Sequence, residues 1–150
     1  MQVTICPAYH WSARNGTDRR MALWSGFVVK GSAASVYIAG DTGYGDGSIF
    51  RAIRIDHGAP TLAVLPIGAY APRWFMKGQH VDPAEAVAIM LDCGASATIG
   101  VHWGTFQLTD EAREAPVAAL LAALDAAGIA HERFRAVRPG DVTAPMSASD

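Results

Sequence analysis

The stretch Ser35-Val36-Tyr37-Ile38-Ala39-Gly40-Asp41-Thr42-Gly43-Tyr44-Gly45 decides how the rest of the chain is read. Val36 to Ala39 is an apolar run of β-forming residues, the pattern of a buried strand. The run ends at one acid, Asp41, set among glycines at 40, 43 and 45 that let the backbone turn sharply and let a ligand come close. Open α/β sheets place their chemistry at the carboxyl ends of their strands. A lone Gly-Asp-Thr-Gly would serve equally as a capped turn, but this one has company. His10, in Pro7-Ala8-Tyr9-His10-Trp11-Ser12, and His102, in Gly100-Val101-His102-Trp103-Gly104, each follow an apolar run as well. Three candidate metal ligands therefore stand at three strand ends.

Outward from that stretch, residues 2–6 read as a first strand and 21–30 as a second, with Gly31-Ser32 turning the chain back into 34–39. The polar segment 11–20 between the first two strands carries Arg14, Arg19 and Arg20 and reads as an exposed loop with local positive charge. Residues 48–55 suit a short helix closed near Gly58. The continuous apolar run 61–66 predicts a buried strand of parallel type. Residues 67–81 lack any period and are dense in aromatic and basic side chains, and an irregular stretch that long in a compact domain is usually functional.

Asp82-Pro83-Ala84-Glu85 is a helix start, with a capping acid, proline at the first helical position and glutamate three residues beyond the cap. That helix is expected to bury Val87, Met90 and Leu91 and to end at Gly94. A further buried strand, 97–101, leads into His102, and 105–115 forms a loop. In the helix 116–127, Val117, Leu120, Leu121 and Leu124 make one apolar stripe, ended by Gly128. Residues 134–137 predict a last strand, and 143–150 a mobile polar tail.

With 150 residues, the chain fits one domain able to bury roughly two-thirds of its unfolded surface. Charged residues are 17% against 51% hydrophobic, which predicts folding rather than disorder. A net charge of -2 without a basic cluster argues against a nucleic-acid partner. No apolar run reaches bilayer length and no signal-peptide pattern opens the chain. Cys6 and Cys93 form no disulfide framework, so a cytoplasmic setting is expected.

Imidazole and carboxylate are the usual ligands of catalytic zinc, and a carboxylate can bridge two metals. A single histidine beside a strand is more often an ordinary hydrogen-bonded residue, and His57 and His131 fit that description. Six segments, in order, narrow the choice for the others. They are Pro7 to Ser12, Ala39 to Tyr44, Leu65 to Tyr70, Pro72 to Lys77, His80 to Ala86 and Ile99 to Phe106. Together they resemble the metallo-β-lactamase superfamily, in the branch of N-acyl-phosphatidylethanolamine-hydrolysing phospholipase D and its bacterial relatives. The resemblance extends to about Gly140.

The resemblance implies an α/β fold: the C-terminal half of an αββα sandwich, a mixed sheet of about six strands with helices on one face. It implies two zinc ions per complete site, with His10 on one, Asp41 bridging both and His102 on the other. His80 would contact substrate or transfer a proton, so Asp41 and His80 are the catalytic candidates. Tyr70, Arg73, Trp74, Phe75 and Lys77 would meet the substrate, their rings facing acyl chains and their cations facing phosphate. The substrate would be a phospholipid or a small phosphodiester, with a lactone as the alternative. The family's H-x-H-x-D-H motif does not occur among these residues, so four of seven expected ligands are missing. An N-terminal half or a second copy of the chain is therefore the expected partner, with peripheral contact to the inner membrane. A missing half would leave the other face apolar and uncovered. The alternative is a non-catalytic half-domain that assembles with a partner.

Overall fold

The computed structural model describes residues 1–142. Its strands are β1 (Gln2–Pro7), β2 (Ser25–Lys30), β3 (Ser35–Ile38), β4 (Leu62–Pro66), β5 (Ala97–Val101) and β6 (Phe134–Ala136). They form one six-stranded sheet whose spatial order is the chain order. The first two pairings are antiparallel and the remaining three parallel, so the sheet is mixed. Parallel neighbours need crossovers. These are supplied by the helices α1 (Ser48–His57), α3 (Pro83–Cys93) and α4 (Ala115–Ala127), while α2 (Arg73–Met76) is a short turn within the β4–α3 connection.

Strand alternation separates the two faces of the sheet. On one, Cys6, Val28, Tyr37, Leu65 and Phe134 are buried in the core with Phe50 and Ile53 of α1, Ile89 and Met90 of α3, and Leu120 and Leu124 of α4. On the other, the register aligns Ile5, Phe27, Ile38, Val64 and Ile99 into one apolar row across five strands, ending beside Arg135. Ile5 is 71% exposed, Phe27 39% and Ile38 37%. Single exposed apolar side chains are ordinary, but a contiguous row marks an interaction surface. The face expected to be apolar and uncovered is so.

The capping box at Asp82 and Glu85 forms, and Gly94 closes α3 in the left-handed conformation. Three expectations shift. The second strand begins at Ser25 rather than residue 21, because Ser25 is the last residue paired with β1; Met21 and Leu23 are 79% and 100% exposed. Leu91 is 49% exposed, since the buried side of α3 is set by Ala86, Ile89, Met90 and Cys93. Leu121 is 39% exposed while Leu120 and Leu124 are buried, for α4 packs on α3 and β6 with only part of its stripe. The tail 143–150 lies outside the described residues.

Candidate metal centre

Each ligand candidate leaves the sheet at a strand's carboxyl end. His10 follows β1, Asp41 follows β3 and His102 follows β5 directly. His80 lies just before the Asp82 cap of α3. The loops are knitted at the buried Thr42, whose hydroxyl accepts from the Tyr9 amide at 3.0 Å and whose carbonyl accepts from the Val81 amide at 2.9 Å. Gly43 pairs with Tyr9 in an isolated antiparallel bridge. A Cβ at Gly43 would lie 2.7 Å from the Gly78 carbonyl oxygen, so glycine is what lets the Asp41 and His80 loops touch.

Ligand atoms of His10, Asp41 and His80 all lie within 4.8 Å of one another. The His10 and His80 Nε2 atoms are 3.3 Å apart, and His102 Nε2 is 3.5 Å from Asp41 Oδ1. Two nitrogens bound tetrahedrally to one zinc at roughly 2.0–2.1 Å lie about 3.3–3.4 Å apart, so the His10–His80 spacing fits a shared metal. The Trp11 carbonyl lies 2.8 Å from His10 Nδ1; with the proton on Nδ1 donated to that oxygen, Nε2 is free as a ligand. Burial pushes His80 down to about 4, against the pull of Asp41 and with the help of His10 and His102. Its ring is therefore neutral at physiological pH and offers a lone pair. Nδ1 of His80 and Nδ1 of His102 are buried with no hydrogen-bond partner in the protein. The Nε2 atoms of His10 and His80 beside the Asp41 carboxylate are a donor set suited to a divalent metal.

The cluster at ligand distance is therefore His10, Asp41 and His80; of the set His10, Asp41 and His102 read from sequence, His102 stands outside that cluster, 3.5 Å from Asp41. His131 instead pairs with Asp125 on the surface at 2.7 Å. The four site residues line one cavity of about 530 Å³. Of the residues read as substrate contacts, Phe75 lines that cavity, whereas Tyr70, Arg73, Trp74 and Lys77 do not. Arg73 is placed as a brace. Its guanidinium meets Glu85 at 2.6 Å and Asp82 at 3.4 Å, and it donates to the His80 carbonyl at 2.8 Å. The cation read as a phosphate contact is already paired within the protein.

His102 takes a left-handed backbone, φ 61°, a conformation that costs a non-glycine residue of order 1–3 kcal/mol and is found at functional sites. Gly68 makes it fit: a Cβ there would stand 2.2 Å from the His102 carbonyl oxygen. Sequence reasoning missed the residue that fixes this corner. Glu111 accepts from the backbone amides of Ala69 at 2.7 Å, Tyr70 at 3.3 Å and Ala71 at 3.0 Å, and from the Thr109 hydroxyl at 2.8 Å. Nothing in an irregular polar loop singles it out, because its partners lie about forty residues away. Burial raises its pKa, but the Thr109 hydroxyl and the backbone amides outweigh that, so the carboxyl sits below its ordinary value. A depressed carboxyl stabilises the fold above the unfolded value of 4.5, and its contribution is lost as the pH falls through the folded pKa. Glu111→Ala is expected to cost about 1–3 kcal/mol at neutral pH by orphaning these amides. Urea unfolding at pH 7 and pH 3 checks it, since the difference between variant and wild type should shrink at pH 3.

Residues 1–103 match the family model described as a beta-lactamase superfamily domain. N-acyl-phosphatidylethanolamine-hydrolyzing phospholipase D 1 of Caenorhabditis elegans is 44% identical over 102 residues, 68% of this chain and 28% of that protein. Its mitochondrial counterpart from Saccharomyces cerevisiae is 40% identical over 111 residues, 73% of this chain and 24% of that protein. The chain spans about a quarter of the length of these curated relatives. A solved metallo hydrolase from the archaeon Ignicoccus hospitalis superposes with TM-score 0.62 at 23% identity, covering 93% of this chain and 50% of that one. An isothiocyanate hydrolase from Delia radicum gut bacteria superposes with TM-score 0.69 at 16% identity, covering 95% of this chain and 53% of that one. These two likenesses are of fold alone. With the sheet, the helices and all four site residues inside these matches, the chain belongs to the metallo-β-lactamase superfamily.

Proposed function

We propose that the chain is the C-terminal, metal-holding part of a zinc hydrolase of the phospholipase D-like branch, acting on a phosphodiester. What carries the proposal is the convergence of His10, Asp41 and His80 within 4.8 Å, with His102 3.5 Å from Asp41. The two phospholipase D relatives support the choice of branch. His10, Asp41 and His102 would hold zinc, with His80 as a further ligand or a proton acceptor. Zinc supplies Lewis acidity toward a phosphoryl oxygen and lowers the pKa of water toward neutrality. The rest falls to the protein. Asp41 would orient the His102 ring, the neutral His80 would offer a lone pair, and Phe75, Met76 and Leu108 line the cavity with apolar surface. The 86% exposed Trp74 and the 58% exposed Phe75 would sit toward acyl chains, in a cytoplasmic protein touching the membrane peripherally. Among the described residues no helix is long and apolar enough to cross a bilayer.

The remaining ligands would come from an N-terminal half bearing H-x-H-x-D-H, seated on the row from Ile5 to Ile99. The superposed hydrolases favour that occupant, because this chain covers only 50% and 53% of their length. The experiment compares the 150-residue chain with the chain plus such a half, reading zinc content and turnover of bis(p-nitrophenyl) phosphate and of a lactone. The chain alone should hold less than one zinc and turn over neither substrate. The complex should hold two and cleave the phosphodiester. Lactone cleavage alone would point to the lactonase alternative, and a zinc-free complex would end the metal reading.

A further inference from the structure

A second cavity, of about 550 Å³, shares His10, Phe75 and Gln79 with the cavity of the metal centre. Arg19 and Arg20 line it. Among the described residues neither arginine has a carboxylate within ion-pair distance, whereas Arg51 and Arg73 each do. The nearest acid in sequence, Asp18, accepts at Oδ1 from the backbone amides of Arg14 and Asn15, each at 2.9 Å. Two uncompensated cations beside one cavity raise the local concentration of anions.

The arginines are also held in place. The Arg19 guanidinium lies 4.3 Å over the Trp11 ring, and Trp11 donates its indole N–H to Gln79. Arg20 has φ 62°, a left-handed conformation that costs a non-glycine residue and survives only where neighbours enforce it. Here its amide bonds the Ser12 carbonyl at 2.8 Å, and the Ser12 hydroxyl bonds the Ala22 carbonyl at 3.3 Å. A fixed guanidinium loses less entropy on meeting an anion than a free one does. Leu23, Trp24 and Phe75 add apolar lining beside the two exposed guanidinium groups, and hydrogen bonds from a guanidinium to an anion are charge-assisted.

We propose that this cavity is an anion subsite that holds a second carboxylate or phosphate group of the substrate, away from the bond that is hydrolysed. As a subsite of the proposed hydrolase it rests on that function, but the binding itself needs no metal. The test therefore uses the 150-residue chain freed of metal by chelation and dialysis. Quenching of tryptophan fluorescence is titrated with inorganic phosphate and, separately, with acetate, at constant ionic strength. The variants are Arg19→Gln, Arg20→Gly and the pair; glycine accepts the positive φ of position 20, so that change removes charge without straining the loop.

Phosphate or acetate should bind the wild type saturably, and the pair should weaken binding at least tenfold with an unchanged circular dichroism spectrum. The tighter anion identifies the group the cavity takes. Arg19→Lys, which keeps a cation but loses the planar fork, should fall between. No saturable binding to the wild type, or equal binding by the double variant, overturns the proposal. Zinc uptake is measured on the same samples. Anion binding without zinc uptake, even in the reconstituted complex, would leave the subsite standing and remove the hydrolase; the converse would do the reverse.

Discussion

Asp41→Asn should strip metal from the reconstituted enzyme and lower its phosphodiesterase rate by well over 100-fold. Loss of an outer-shell partner alone costs about 10–100-fold in metal affinity or activity, and the proposed function places Asp41 in the ligand shell itself. Asparagine keeps the shape but not the charge, and it presents an N–H₂ donor where a second oxygen could bind. Asp41 is also the group 3.5 Å from His102 Nε2, so its loss frees that ring to turn. His102→Ala should act in the same direction. Zinc content by atomic absorption and turnover measured on the same preparation check both variants. Asp41 is only partly buried and caps no helix, so the fold should survive the change. A variant that keeps wild-type zinc and rate would sink the bridging role.

Phe50→Ala should cost about 3–5 kcal/mol, the range for emptying a buried aromatic site. Domains of this size have a total stability of about 5–15 kcal/mol, so the loss is a large fraction of what holds the fold together. The ring is fully buried on α1, stacked on Tyr44 at 5.9 Å and tilted against Tyr37 at 6.5 Å. Tyr44 belongs to the Asp41 loop and donates to Asp92 of α3 at 2.7 Å, where Arg51 also reaches at 3.1 Å. The cavity thus opens where α1 and α3 pin that loop. Thermal denaturation should show a fall in midpoint of roughly 6–20 °C, on a scale of about 2–4 °C per kcal/mol for a chain of this length. A shift of less than 3 °C would mean that the site collapses and repacks.

The fold was legible wherever one residue type has one strong local consequence. The continuous runs before Asp41 and His102 gave buried strands and the run 61–66 a parallel one, and Asp82-Pro83 with Glu85 three residues beyond the cap gave a helix start. Boundaries were legible only where a partner did not decide them. Residues 21–24 alternate like strand but have nothing to pair with. At the site, His10, Asp41 and His102 could be read because each stands directly after an apolar run. Thr42 and Glu111 could not, since both work by accepting backbone amides from distant loops, which leaves no trace in local composition. The pairing of Arg73 is hidden for the same reason. A cation in an aromatic loop looks free until its partners Asp82 and Glu85 fold back beside it.

Spatial order equals chain order in this sheet, and that has a bearing on synthesis. A chain emerging from the ribosome amino end first can add each new strand to the edge already made, without leaving a gap for a later one. β1, β2 and β3 bring in His10 and Asp41 early, while His80 and His102 emerge only with the segments after β4 and β5. The proposed metal site needs residues from both groups, so it would not seed the early sheet. On the proposed function, a metal ion would be acquired by a scaffold that is already zipped, and its affinity would add to a fold that other forces have assembled.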